Sequence, residues 1–479
     1  MRVDNAARAG ALSRKTFFGR DGFQLSSAGE QAGGDLSRST GYVELLRRNR
    51  EFRLLWLGQV VSQLGDWFNT IAVMTLVLRL TGSGRAVGLI FVTRFLPSVF
   101  AGPLSGVVAD RFDRRAVMIV SDVLRALVVL GFLAVRRPEH VWAIYALTVA
   151  QLTFSTFFEP AKSAALPSVV VERDLVTANA ITSVTWSVML TLGAAVGGLI
   201  TGLAGTDAAF VLDSLTYLAS AALIAGLRLP KRPARPRTRL TLARALGITD
   251  TLEGAAYVRA RPRVLAYLAV KPAWGLGGGI LTLLGVFGEK IFTVGGRAAT
   301  GIGVLYAARG IGTAVGPFIA RRVAGGSRRS MQAAIGLSFI VGGLFYAAFG
   351  VSRNFALALF VLAVAHAGGS VLWVFSTVLL QTAVEDEFRG RVFAAELAVL
   401  TLTLAASNYV TGELLDRFNY SPRTVSVGIG VLFILPGLLW FATARWWDRG
   451  HVDAGTATAQ PDNPGARGNV TEQIHLTAD

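Results

Sequence analysis

Runs of roughly twenty apolar residues, the length a helix needs to cross ~30 Å of hydrocarbon, recur along this chain and limit what it can fold into. They lie near 53–80, 86–109, 116–135, 140–161, 177–204, 208–228, 263–292, 299–320, 330–350, 355–383, 392–416 and 424–446. With 52% hydrophobic and only 16% charged residues, and a mean hydropathy of +0.51, the chain is too apolar for an ordinary soluble globule of 479 residues. The expectation is an all-α membrane protein, with twelve transmembrane helices arranged as two six-helix bundles.

A net charge of +17 would suggest nucleic acid in a soluble protein. Here the basic residues sort by loop. With the N-terminus inside, twenty-one lysines and arginines fall on inner loops and eight on outer ones. The inner set includes Arg111, Arg114, Arg115, Lys162, the stretch from Arg228 to Arg263, and Arg321, Arg322, Arg328 and Arg329. That asymmetry follows the positive-inside rule and places both termini in the cytoplasm. Basicity therefore reports topology in a lipid bilayer, and no nucleic-acid partner is expected. The absence of cysteine removes disulfides, thiolate catalysis and cysteine metal sites. The polar stretches 1–45 and 449–479 read as disordered cytoplasmic tails, and no cleavable signal peptide is expected at the start.

The centre of the chain marks a boundary. Lys231-Arg232-Pro233-Ala234-Arg235-Pro236-Arg237 cannot cross a membrane, and its two prolines stop a helix. It lies in a linker, 229–262, between bundles expected at 46–228 and 263–448. Within the linker, Thr241 to Tyr257 has the pattern of an amphipathic helix at the membrane surface. The halves also repeat. Gly88 precedes Arg94 by six residues, ahead of Gly102-Pro103 and an arginine-rich loop; Gly303 precedes Arg309 by six, ahead of Gly316-Pro317 and Arg321–Arg329. Duplicated halves around a midplane cavity are a common plan for secondary transporters.

The densest charge between two spans is Gly106-Val107-Val108-Ala109-Asp110-Arg111-Phe112-Asp113-Arg114-Arg115. Gly106, Asp110, Arg111, Arg114 and Arg115 stand where the major facilitator superfamily has its loop signature, and the chain resembles that superfamily over residues 45–446. Asp113 occupies the position of the signature's second glycine. Leu64-Gly65-Asp66-Trp67, Pro160-Ala161-Lys162 with Ala165-Leu166-Pro167, and Phe388-Arg389-Gly390-Arg391-Val392-Phe393 resemble the branch of siderophore, macrolide and other drug exporters. The resemblance implies that the arginine-rich loop is a cytoplasmic gate holding the halves together in the outward-open state, with Glu396 accepting an arginine. Gly193-Ala194-Ala195-Val196-Gly197-Gly198, with Gly202, is similar to the antiporter motif of drug exporters, with Ala194 in place of its proline; plain close packing accounts for the glycines equally well.

Ionisable side chains inside a span are costly, so each is a candidate for function. Asp66 sits near the middle of the first run and Arg94 within the second, where a long arginine reaches toward it. Asp66 reads as a fixed ion pair, a proton-coupling carboxylate or a contact for a cationic substrate. Asp122 and Arg125 are spaced to meet on one helix face, as a self-neutralising structural pair. Arg309 reads either as a donor to backbone carbonyls or as a contact for an anionic substrate. His366, near mid-depth, is either a titrating group or a hydrogen-bonded interior residue, and Trp373 joins these as a cavity-lining candidate.

No ATP-binding loop, HExxH metal helix or nucleophile elbow is present, so the chain reads as a non-enzyme with no cofactor and no metal. The resemblance implies a monomeric transporter of the bacterial inner membrane. Its expected activity is export of an amphipathic small molecule, coupled to protons, by alternating access. Import, uniport, lipid flipping and a non-transporting receptor are the other openings.

Overall fold

The computed structural model describes residues 41–230, 248–323 and 327–447, and among them the regular structure is helical. A short α1 (Tyr42–Arg48) opens it, extending helix into a stretch expected to be tail. The long elements of the first half are α2 (Arg50–Thr81), α3 (Gly84–Phe100), α4 (Gly102–Arg111), α5 (Arg114–Gly131), α6 (Val141–Val169) and α7 (Leu175–Ala225). Those of the second half are α8 (Ile248–Arg259), α9 (Pro262–Gly275), α10 (Ile280–Lys290), α11 (Ala298–Val323), α12 (Arg328–Val351), α13 (Phe355–Ala383), α14 (Asp386–Asp416) and α15 (Pro422–Trp447). Of the expected tails and linker, residues 1–40, 231–247 and 449–479 lie outside the described residues, and with them the start of the amphipathic stretch expected from Thr241 to Tyr257, whose later part is α8.

Nine helical segments among the described residues are long and apolar enough to cross a membrane. Helices suit that role because every backbone N–H and C=O away from the ends is bonded within the segment. The breaks have local causes. Gly205, at φ 87° and ψ 171°, interrupts α7 in a conformation that favours glycine, so one continuous element carries two limbs. Helices α3 and α4 meet at Ala101 beside Gly102-Pro103, where proline removes a backbone donor. The run Leu276–Gly279 tightens into a 3₁₀ turn between α9 and α10.

Glycines set how closely the helices approach. At Gly65 of α2 a methyl group would sit 1.9 Å from Thr216 Oγ1 and 2.3 Å from Asp213 Oδ1, so α2 lies directly on the second limb of α7. On the first limb, Gly193 and Gly197 face Trp67 and Phe68. The halves of the chain meet in the same manner. A methyl group at Gly198 would lie 2.7 Å from Gly303 Cα, and one at Gly88 would lie 2.5 Å from the Asn408 carbonyl oxygen. Thr300 Oγ1 donates to Gly198 O at 3.3 Å, and Lys290 Nζ donates to Gly82 O at 3.1 Å.

The firmest of these contacts is a cap. Asp416, ending α14, accepts from Ser83 Oγ, from Gly84 N at 3.0 Å and from Arg85 N at 2.9 Å, at the start of α3. A carboxylate there satisfies backbone donors that have no partner within their own helix. These inter-half contacts gather at the end of the molecule bearing residues 81–88, 290–300 and 408–416. The arginine-rich loop lies at the other end.

Candidate transport site

Asp66 is the seventeenth residue of the thirty-two in α2, so it sits at the middle of the helix. Its side chain is 35% exposed and lines a cavity of about 470 Å³ with Gln59, Ser62, Trp67, Arg94 and Trp186. Behind it lies Arg125 of α5, only 3% exposed. Arg125 Nη2 donates to Asp66 Oδ1 at 2.7 Å and to the Tyr217 hydroxyl at 2.9 Å; its Nη1 donates to Asp122 Oδ1 at 3.2 Å. Tyr217 OH donates to the same Asp66 oxygen at 2.5 Å and accepts from Gln151 Nε2 at 2.8 Å. The Tyr217 ring also lies 4.0 Å from the guanidinium carbon, a cation–π contact that adds to the hydrogen bonds. Four helices, α2, α5, α6 and α7, thus converge on one buried cation.

Asp122 and Arg125 do meet, but they are not a self-contained pair. The guanidinium is shared, and its shorter ion contact goes to Asp66. Arg94 is not the partner of Asp66 either: its Nη1 donates to Thr70 Oγ1 at 3.2 Å. Arg309 makes no backbone-carbonyl bond among the described residues and lies 5.8 Å from the Tyr306 ring centroid. His366 is buried, its Nδ1 3.1 Å from Leu362 O, and it meets Tyr346 edge-on at 5.5 Å. Trp373 packs against Trp274 at 5.7 Å and covers the ammonium of Lys271 at 4.9 Å. Tyr306 and Trp67 connect the two regions across the centre, at 6.1 Å.

A family model described as transmembrane secretion effector matches residues 45–449. The chain belongs to that family. YfiS of Bacillus subtilis strain 168, an uncharacterized MFS-type transporter, is 28% identical over 225 residues, 47% of this chain and 53% of its own length. BacE of Bacillus amyloliquefaciens, whose name proposes bacilysin export, is 30% identical over 191 residues, 40% and 47% of the two chains. This chain therefore spans about half the length of those two relatives. Macrolide efflux protein A of Streptococcus pyogenes is 24% identical over 396 residues, covering 81% of this chain and 93% of its own. Among solved structures, a bacterial homolog of the human lysosomal transporter Spinster, inward-facing and unoccupied, superposes with a TM-score of 0.68 at 14% identity. That superposition covers 84% of this chain and 98% of the other, and shows the fold alone. The family and its relatives are major facilitator transporters, not enzymes, and nine apolar helices among the described residues fit a multi-pass membrane protein.

In this family member the described bonds of Arg114 and Arg115 in the arginine-rich loop lie within its own half. Arg114 donates to Ala164 O and, at 3.4 Å, to Ser168 Oγ, both on α6; Arg115 donates to Ala225 O at the end of α7. Arg111 is exposed, and a methyl group on Gly106 would meet nothing within 4 Å. The Asp110 side chain lies outside the described residues. Asp113, the departure from the superfamily signature, caps α5 by accepting from Ala116 N at 2.7 Å. Glu396 accepts no arginine among the described residues; its partner is Lys271, at 2.7 Å. Lys162, counted by sequence among the loop charges, is buried in α6 and pairs with Glu159 at 2.8 Å.

Sequence reasoning missed Lys271, Tyr217 and Gln151. Lys271 carried a signal, an ionisable residue ten positions into an apolar run, immediately before Pro272. Tyr217 and Gln151 carried none, because neutral polar residues are unremarkable in a transport helix until their partners are placed.

Proposed function

We propose that this secretion effector exports an amphipathic small molecule by alternating access, driven by proton antiport through Asp66. The observation that carries this reading is the placement of Asp66 between a cavity and a buried arginine–tyrosine pair. Asp122 and Asp213 are both 0% exposed, and each has one carboxylate oxygen with no hydrogen-bond partner. Three acidic groups thus gather about one guanidinium, and Coulomb repulsion in a low-dielectric interior favours a bound proton or cation. Asp66 is the member of the three that faces the cavity, where such a charge can arrive and leave.

The architecture that supports alternation is twelve spans in two bundles, 46–228 and 263–448. The nine apolar helices give ten when α7 is divided at Gly205, and α2 and the α3–α4 pair complete the set. Inter-half packing at one end and an arginine loop apart from the other half describe a transporter open toward the loop. By the positive-inside rule that side is the cytoplasm, where both termini lie. The names of BacE and macrolide efflux protein A favour export over import.

The test uses inside-out membrane vesicles with an imposed pH gradient and a fluorescent amphipathic dye bearing a carboxylate as cargo. Accumulation should collapse with the gradient, and Asp66→Asn should lower gradient-driven accumulation at least tenfold while leaving the protein folded. Accumulation that ignores the gradient in both proteins rules antiport out.

A further inference from the structure

We propose that Arg94 and Arg309 together form a binding site for an anionic oxyacid group, a carboxylate or phosphate. The proposal builds on the reading of the central cavity as the transport path and names the class of cargo that path takes.

Three buried cations have a carboxylate partner, whereas two half-buried arginines at the centre have none among the described residues. Arg125 has Asp66 and Asp122, Lys162 has Glu159, and Lys271 has Glu396. Arg94 and Arg309 have no carboxylate partner among the described residues, and they are the two positions the internal repeat relates, each six residues after a glycine. The hydrogen bond from Arg94 goes to a neutral hydroxyl, Thr70 Oγ1, and the side chain lines the cavity. Arg309 has a buried Nε with no hydrogen-bond partner, and its surroundings are Tyr306, Tyr346 and His366.

The two guanidiniums lie to either side of the Trp67–Tyr306 contact: Arg94 lines the cavity with Trp67, and Arg309 is 5.8 Å from the Tyr306 ring centroid. Each lies within electrostatic reach of the other, and both act on Tyr306. The Tyr306 hydroxyl is already committed to Leu281 O at 3.1 Å and offers them no counter-charge. Arginine does not shed its proton at any working pH, so this repulsion cannot be relieved by neutralisation. Two like charges with open N–H groups, one on each half of the molecule, make a fork for a planar or tetrahedral oxyanion. Trp67, on the cavity wall and 6.1 Å from Tyr306, places an aromatic surface beside that fork for an apolar body.

The full chain in phosphatidylcholine nanodiscs should be titrated calorimetrically with N-octanoyl-alanine and with its uncharged amide. Charge-assisted hydrogen bonds lead to an expected preference of at least about tenfold for the carboxylate. Arg94→Gln and Arg309→Gln should each bring the two probes to parity, and Arg309→Lys should keep part of the preference. The melting temperature of Arg309→Gln should fall little, because only the long contact to the Tyr306 ring is lost and no hydrogen-bond or carboxylate partner among the described residues; if that variant fails to fold, Arg94→Gln and Arg309→Lys still decide. Equal affinity for the two probes, binding of neither, or a preference that survives Arg309→Gln overturns the proposal. Repeating the titration in phosphatidylglycerol discs separates the sources: displacement of the probe there makes a lipid phosphate the occupant, and undiminished binding makes it a soluble anion. The readout involves neither a pH gradient nor Asp66. Loss of proton-driven export with the preference intact removes only the export reading, and the converse removes only the anion site.

Discussion

Each half of this chain holds a salt bridge of the same length, 2.7 Å, but the two lie in different settings. In the first half Arg125 is sealed but its partner Asp66 is 35% exposed and opens on the cavity. In the second half both members are sealed, Lys271 at 6% and Glu396 at 4%, with Trp373 and Phe393 over the ammonium. An ion pair with one member at a cavity can exchange a proton or a ligand without desolvating a new charge. A pair with both members sealed gains nothing by opening and pays the full cost of an unpaired buried charge. Equal geometry therefore does not mean equal role; access to the cavity separates them.

Arg125→Met should give the largest effect. It strands Asp66 and Asp122 around a missing cation, a loss of roughly 3–5 kcal/mol for a broken buried pair, read as a fall in the melting temperature of the detergent-solubilised protein. Lys271→Met should cost a similar but smaller amount, since it strands one carboxylate rather than two. The double variants sharpen the contrast. Lys271→Met/Glu396→Leu should recover most of the lost stability and most of the transport, because a sealed pair can be replaced by apolar packing at about neutral cost. Asp66→Leu/Arg125→Met should recover only part of the lost stability, because Asp122 stays stranded, while transport stays absent. If the Lys271–Glu396 double variant is stable and inactive, the sealed pair has a part in the cycle and the comparison fails.

The helical character of the chain was legible in its apolar runs, and the repeat spacing of Gly88–Arg94 and Gly303–Arg309 marked two positions that the structure brings to the centre. Partner choice was not legible. A rise per residue gives the height of Asp66 and Arg94 in the membrane but not the rotation of their helices, so Arg94 looked near enough while Arg125, on α5, was the group aimed at Asp66. The three-residue spacing of Asp122 and Arg125 gave a true contact and concealed the second one. Glu396 was readable as a buried acid near a helix start, yet nothing local says whether its cation comes from the arginine loop or from α9. Such choices depend on which helices are neighbours, and that information resides in glycine contacts such as Gly65 against Asp213 and Thr216.

The smallest predicted effect concerns the ends of the molecule rather than its centre. Asp416 caps α3 across the two halves, whereas the arginine loop makes its described bonds inside its own half. Removing a carboxylate cap costs about 0.5–2 kcal/mol, enough to shift a balance between two conformations without unfolding either. Asp416→Ala should therefore loosen the closed end. The natural sequence has no cysteine, so a single reporter carries no background. Val87→Cys serves, since Val87 is buried beside Gly285 where α3 meets α10. Labelling of that cysteine by a membrane-impermeant maleimide should quicken about two- to thirtyfold in the Asp416→Ala background, the factor that such a change in free energy gives. Asp416→Asn should lie between the two, because an amide oxygen still accepts from Gly84 N and Arg85 N. An unchanged labelling rate would mean that the glycine contacts at Gly88, Gly198 and Gly303 hold this end closed by packing alone, and the cap would then be an ornament on a steric seal.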